Sequence, residues 1–467
     1  MLTIFWTDAL IYLLLAMALG FAWYARSREH LRAPWRGVGR SRVAMSSLVI
    51  LLAYVIIGLL DSIHYRPVLH NPGSVKTATY SNEIISVFDR MVSGLRDRTE
   101  KTYSAPFAVH LYSKEPVRMP DGTQERNYPR LEYGGADLSS PAEEGRDILV
   151  RSLRGLGIGV LLWVALVTVF CFWWGRHHHC RPGEALSLVS SNRTEFRWRA
   201  ALVTAGVLSV LGAISAELAM EYHIFGTDKV GEDVFYETLK SIRTGLMIGT
   251  LTTLVMLPFA LALGIMAGFL GGWVDDVIQY LYTTLNSIPG VLLIAAAILM
   301  LQVYLSNNSS EFNSVAERAD LRLLFLCLIL GITSWTGLCR YLRGESLKLR
   351  EIDYVEAARA LGVRKSTIMF RHLLPNVMHI VLITVVLDFS GLVLAEAVLS
   401  YVQIGVDPTM NSWGNMINSA RLEMARDPIV WWSLAAAFIF MFVLVLSANL
   451  FADVVRDAFD PRLRDVE

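Results

Sequence analysis

The strongest spacing signal in this sequence lies in one polar stretch, EIDYVEAARALGVRKSTIMFRHLLPN, from Glu351 to Asn376. Glu356, Ala357, Ala358, Arg359, Ala360 and Leu361 are good helix formers, and Gly362 follows where a left-handed C-cap is needed. Ser366 is placed to N-cap a second short helix through Phe370 and Leu374, until Pro375 removes a backbone donor. The expected product is a compact helical hairpin. Its chemistry is docking: small Ala357 and Ala358 permit close backbone approach to a partner groove, and Glu356 can pair with a basic or backbone donor there.

Other residues speak against catalysis on this chain. The pattern G-x-x-x-x-G-K-[ST] is absent and there is no Gly-Lys pair at all, so phosphate cradling and ATP hydrolysis cannot reside on this chain. Cys171, Cys180, Cys327 and Cys339 all lie in or beside apolar stretches, which implies no disulfide framework. The run His177, His178, His179, Cys180 has metal-ligand types, but adjacent residues rarely converge on one ion; it reads as a basic, solvated turn, and no metal or other cofactor is expected. Asp388 and Glu396 are carboxylates inside an apolar run, eight residues apart and so on nearly one side of a helix. Such groups face a cavity or a partner, which leaves two readings open: a polar lining of a translocation path, or a structural pair with neighbouring hydroxyls or backbone. Trp335 and Thr336 are weaker candidates.

The elements that position these residues are membrane spans. More than half of the 467 residues are hydrophobic and only 18% are charged, the balance of a polytopic membrane protein. Lysine plus arginine equals aspartate plus glutamate, 42 each, so net charge suggests no nucleic-acid partner. A crossing takes about 20 apolar residues. Nine segments approach that: Leu2–Tyr24, Val43–Leu60, Leu153–Trp174, Ala200–Ala219, Leu246–Leu270, Ile288–Leu305, Leu321–Tyr341, Val377–Val402 and Trp431–Phe451. The first has no basic residue before it and arginines after it, the pattern of a retained anchor rather than a cleaved signal. Arg26, Arg28, Arg32, Arg36, Arg40 and Arg42 then place the first loop in the cytoplasm by the positive-inside rule, with the N-terminus outside and the C-terminus inside. The basic loops after the third and seventh spans and the tail with Arg456, Arg462 and Arg464 agree, while the Gly271–Ser287 loop is neutral to the question. The polar region Asp61–Arg151 is therefore expected to be a small periplasmic domain, with an amphipathic helix over Glu83–Leu95 and a strand over Phe107–Tyr112. Its apolar stripes read as core, and no site is assigned in it.

With these residues in place, the hairpin resembles the E-A-A-x-x-x-G coupling loop of ABC importer permeases. Glu356, Ala357, Ala358 and Gly362 are in register, Leu374-Pro375 closes the loop, and the variant R-H-x-L-P-N at Arg371, His372, Pro375 and Asn376 is similar to the dipeptide/oligopeptide subgroup. The likeness covers about Arg199 to Arg464. It includes FGTDKVGEDVF at Phe225–Phe235 with Glu232 in place of arginine, AGFLGGWVDD at Ala267–Asp276, LDFSGLVLAEAVLSYVQIGV at Leu387–Val406 with Gln403 in place of glycine, SWGNMI at Ser412–Ile417, and FDPRLR at Phe459–Arg464.

The resemblance implies an all-α polytopic fold: a type I importer permease core at 199–467, with its coupling loop at 351–376. Before it stand an extension of two spans at 1–60, a periplasmic α+β or irregular insertion at 61–152, and a third span with a basic loop at 153–198. It also implies a second related permease, two cytoplasmic ATP-binding subunits, a periplasmic substrate-binding protein and a bacterial inner membrane around them, with a di- or oligopeptide as cargo. A small solute such as a nickel chelate or an opine-like compound is the alternative within that family. From other classes, a membrane sensor would need a cytoplasmic output domain, and a secondary transporter an internal repeat; neither is seen.

Overall fold

The computed structural model describes residues 2–26, 29–69, 79–81, 83–118, 124–138, 140, 143–308 and 314–459. The first helices are α1 (Trp6–Arg26), α2 (Glu29–Arg40), α3 (Arg42–Asp61), α4 (Val87–Met91) and α5 (Ser93–Arg96). Next come α6 (Glu144–His178), α7 (Pro182–Ser190), α8 (Trp198–Ala219), α9 (Val234–Leu270), α10 (Gly272–Ser287) and α11 (Gly290–Asn307). The chain continues through α12 (Val315–Arg350), α13 (Asp353–Ala360), α14 (Lys365–Ile368), α15 (Leu374–Tyr401), α16 (Trp413–Glu423) and α17 (Trp432–Phe459). Among the described residues eight helices are long and apolar enough to cross a bilayer: α3, α6, α8, α9, α11, α12, the continuous run from Lys365 to Tyr401, and α17. The expected first span forms α1, whose apolar stretch Trp6–Gly20 is shorter than the rest. Arg462 and Arg464, with most of the FDPRLR segment, lie outside the described residues.

The chain forms two compact units. One comprises Trp35–Thr244 and Asn411–Phe451. Its frame is α3, α6 and α8. Gly155 and Gly159 let α6 and α8 meet backbone to backbone, since a Cβ at either would lie 2.6 Å from the Cα of Ile214 or Val210. The indole of Trp163 then donates to the carbonyl of Leu202 at 2.8 Å.

The polar insertion belongs to the same unit and is mostly irregular. Antiparallel pairs join His64–Tyr65 to Ile85–Ser86, Val68–Leu69 to Thr79–Tyr80, and Glu115–Arg118 to Gln124–Asn127. The helix expected over Glu83–Leu95 is broken. Ile85 and Ser86 form a short strand, Ser86 and Asp89 make a reciprocal capping box that starts α4, and the chain restarts as α5 after Val92. No continuous strand forms at Phe107–Tyr112: Phe107 has φ 60°, and only isolated bridges, Ser104 with Leu111 and His110 with Arg130, hold the segment.

The insertion is joined to the segment before α9 by buried charge. His223 Nδ1 lies 2.7 Å from Asp233 and its Nε2 lies 3.5 Å from Glu100. Glu100 also accepts the backbone N–H groups of Glu132, Tyr133 and Gly134 at 2.8–3.0 Å. Burial alone would lower the His223 pKa, but the two carboxylates outweigh it and hold the imidazole at about 9. Burial would likewise raise Glu100, yet His223 and the three N–H groups bring it to about 2. Further along α9, Tyr236 donates to Asp89 at 2.8 Å and Lys240 pairs with the same carboxylate at 2.5 Å.

The second unit comprises Leu2–Pro34, Gly245–Met410 and the chain from Ala452. Its core gathers Met256, Ala260, Ile265, Phe269, Trp335, Leu338, Leu342, Val355, Ile368, Leu373 and Val377. A second cluster holds Met247, Ile248, Leu251, Ile298, Leu323, Leu326 and Leu330, with Leu10 and Ile11 of α1 packed on it. The N-terminal turn of α1 is tied to α12, as the N–H of Thr7 donates to Asp320 at 3.3 Å and its hydroxyl donates to the same carboxylate.

Candidate coupling hairpin and pathway residues

The hairpin forms as two helical segments around Gly362. Leu361 caps α13, Gly362 has φ +74°, and two bonds close the turn: Val363 N–H to Ala358 O at 3.1 Å and Gly362 N–H to Arg359 O at 3.0 Å. This pair of six-to-one and five-to-two bonds is the Schellman arrangement, which needs a residue at ease with positive φ.

The second arm differs from expectation. Ser366 lies inside α14 and makes no cap, because the helix starts at Lys365 after Arg364. Nor does Pro375 end it. Five residues, Met369–Leu373, form a π-helical turn in which the N–H of Leu374 reaches back to Met369 O, and α15 continues directly. Widening the helix there relieves the clash between a proline ring and the carbonyl four residues before it. The arm and the span behind it are thus one helix from Lys365 to Tyr401.

The two alanines take different roles. Ala358 is buried with Val355 in the core of its own unit, together with Ile368 and Leu373. Ala357 and Glu356 are exposed. The tip carries an apolar side chain that the alanines did not announce: Leu361 is 83% exposed, with Phe370 at 72% on the second arm. Arg371 and Pro375 are exposed, and the His372 ring lies 6.0 Å from that of Tyr354. Asn376 latches the arms by donating to the hydroxyl of Tyr354 at 2.9 Å and to His372 O at 2.6 Å.

Behind the hairpin, Arg343 of α12 grips Asp275 of α10 through two parallel bonds of 2.6 and 2.7 Å. Those bonds from Arg343 hold the Asp275 carboxyl below its ordinary range. The Gly271–Ser287 stretch, read as a loop, is therefore a helix, with Ile278 and Tyr282 buried one turn apart.

The intramembrane carboxylates part company. Glu396 is buried and accepts from the Ser400 hydroxyl at 2.7 Å, whereas Asp388 is only partly buried. Eight residues at about 100° each leave about 80° between two positions, enough to bury one fully and leave the other partly accessible. Trp335 is buried, and Thr336 donates to Asn286 at 3.1 Å. Gln403 has φ +65°, so what a glycine supplies at that position is backbone freedom rather than close packing. His177 and His178 stack on Trp173 and Trp174, at ring separations of 5.9 and 4.0 Å.

The remaining motifs are also local structure. Asp233 caps α9 by accepting from Phe235 and Tyr236 N–H at 2.8 and 3.1 Å, and Ser412 caps α16 by accepting from Asn415 N–H at 3.0 Å. Trp413, 1% exposed, donates to Thr238 O at 3.1 Å.

Membrane-length helices with an exposed, apolar-tipped hairpin between two of them define a multi-pass membrane protein. Residues 260–465 match the family described as binding-protein-dependent transport system inner membrane component. The glutathione transport system permease protein GsiD of Pectobacterium atrosepticum is 31% identical over 244 residues, covering 52% of this chain and 73% of that protein. The dipeptide transport system permease protein DppC of Lactococcus lactis subsp. cremoris is 31% identical over 240 residues, covering 51% and 64%. The oligopeptide transport system permease protein OppC of Bacillus subtilis is 30% identical over 242 residues, covering 52% and 72%. Among solved structures, an inward-facing MetNI methionine ABC transporter aligns with 47% of this chain and 96% of its own at 14% identity and a TM-score of 0.35. The chain belongs to the binding-protein-dependent transport system inner membrane component family.

Proposed function

We propose that this chain is the permease subunit that carries a di- or oligopeptide across the bacterial inner membrane, driven by ATP hydrolysed on separate cytoplasmic subunits. Peptide as cargo is supported by the names of the dipeptide and oligopeptide relatives. The observation that carries the reading is the hairpin: Glu356, Ala357 and Leu361 are presented outward while Val355 and Ala358 anchor it inward. Leu361 enters a groove on an ATPase subunit as an apolar knob, with Glu356 beside it on the rim. Because Lys365–Tyr401 is one helix and α12 feeds the other arm, displacement of the hairpin by ATP-driven closure passes to two spans without a flexible joint. The hairpin then faces the cytoplasm and the insertion the periplasm, as the arginine-rich loops favour. A second related permease, two ATPase subunits and a periplasmic binding protein complete the assembly, with Glu396 and Asp388 near the path of the peptide.

The test is reconstitution with the two ATPase subunits and the binding protein. Glu356→Arg is expected to leave the spans folded and to lower peptide uptake by about tenfold, through loss of roughly 1.4 kcal/mol of docking energy. Uptake at the parental rate, or purification of the active permease without any ATPase, would sink this reading.

A further inference from the structure

One end of the first unit gathers a charge that transport does not use. The chain runs alternately through α3, α6 and α8, so the start of α3, the end of α6 and the start of α8 share that end. Arg36, Arg40 and Arg42 lead into α3, Arg176 closes α6, Arg181 precedes α7, and Arg193, Arg197 and Arg199 lead into α8. Glu184 and Glu195 are the acidic residues in the 176–199 stretch. Arg36 pairs with Glu195 at 3.7 Å with both side chains about half exposed, while Arg197 and Arg199 donate to the carbonyls of Arg40 and Ser190 at 3.3 and 3.2 Å. Arg176, Arg181 and Arg193 are exposed; the backbone N–H of Arg181 donates to the Glu184 carboxylate at 3.2 Å, and among the described residues none of the three guanidinium groups pairs with a carboxylate.

The same end of the unit carries a cluster of aromatic rings. Phe170 lies 5.9 Å from Trp174 and 5.0 Å from Trp198, and Trp198 lies 6.1 Å from Phe196. The cluster is held in place: the Phe196 ring covers Gly39, and the N–H of Arg197 donates to Gly39 O at 2.9 Å. Beyond it toward the middle of α6, Leu166, Val169 and Phe172 are exposed along a membrane-length helix. Bare apolar helix, then tryptophan, then unpaired guanidinium is the order met by a phospholipid from acyl chain to phosphate.

We propose that this end binds anionic phospholipid, its phosphodiester held by Arg176, Arg181 and Arg193 and its chains lying along Leu166, Val169 and Phe172. Arg176, Arg181 and Arg193 all precede the family match, which begins at residue 260. Inorganic phosphate offers the same charge but nothing for the apolar bed, and it does not displace the lipid.

The experiment uses the full chain in nanodiscs of phosphatidylcholine containing a minor share of phosphatidylglycerol, with native mass spectrometry counting the lipids retained on release. Phosphatidylglycerol is expected to be enriched over its share of the bilayer. Each arginine near an anionic headgroup contributes about fivefold, so R176Q/R181Q/R193Q lowers the enrichment by at least about tenfold. R176K/R181K/R193K, which keeps the charge, retains most of it and shows that the glutamine variant did not act by misfolding. K114Q/R126Q/K229Q, the same loss of charge elsewhere on the surface, leaves it unchanged. Retention in proportion to the bulk lipid, or enrichment that survives the triple glutamine variant, overturns the proposal.

Discussion

At the residue scale, the insertion hangs on charges that its sequence does not single out. Glu100, His223 and Asp233 are 123 and 10 residues apart along the chain in their contacts, yet they form one buried ionic cluster. The raised His223 pKa means that its stabilisation is complete below 6.5 and is lost as pH rises through about 9. The lowered Glu100 pKa means that its share is complete above 4.5 and is lost as pH falls through about 2. Thermal unfolding of the purified protein should therefore show greatest stability between those limits, with a decline on the alkaline side. His223→Gln removes that alkaline decline and costs about 3 kcal/mol, because it leaves two buried carboxylates without their cation. An unchanged alkaline slope in the variant would mean that His223 is not the titrating group. No reading of spacing finds such a cluster, whereas Gly362 was legible because a helix-forming run followed by glycine has one common outcome. Leu361 sat in view beside it. It went unused because an apolar residue at a helix end ordinarily packs inward, as Val355 does.

At the element scale, the spans were legible because a bilayer requires about 20 apolar residues of helix, and eight of the nine segments meet that in the structure. Their ends were not. Leu246 was the expected start of α9, but the helix begins at Val234, where Asp233 caps it. The extra turns carry Glu237, Lys240 and Arg243, charges that hide a helix from any hydropathy window although Tyr236 and Ile242 are buried. The Pro375 boundary failed for a different reason: a π turn can absorb a proline, and the sequence pattern of a break and of a bulge are alike. Gly362 gives a clean test of the hairpin. Nothing lies within 4 Å of a Cβ built there, so Gly362→Ala meets no clash and costs only the left-handed backbone, about 1 kcal/mol. Gly362→Asn should recover most of that loss, and the check is the uptake rate of the reconstituted transporter in both variants. Equal loss in both would mean that side-chain bulk, not conformation, limits the turn.

At the scale of the molecule, the insertion belongs with the core of its unit and is no free-standing appendage. Trp432 donates to Thr227 O at 3.0 Å, the Tyr112 ring meets that of Trp432 at 4.9 Å, and Ser104 N–H donates to the Thr227 hydroxyl at 2.7 Å. Removing residues 83–138 would uncover His223, Asp233 and Tyr236, all buried. The expected outcome is a chain that unfolds at a lower temperature in detergent than the parent; an unchanged melting temperature would show that these contacts add nothing. Transport itself is tested most directly at the hairpin tip. A photo-crosslinking amino acid at Leu361, in membranes that hold the permease and its ATPase subunits, should capture an ATPase subunit in high yield, while the same group at exposed Tyr128 captures none. If Leu361 captures no ATPase while the complex still imports peptide, the hairpin is not where the two subunits meet.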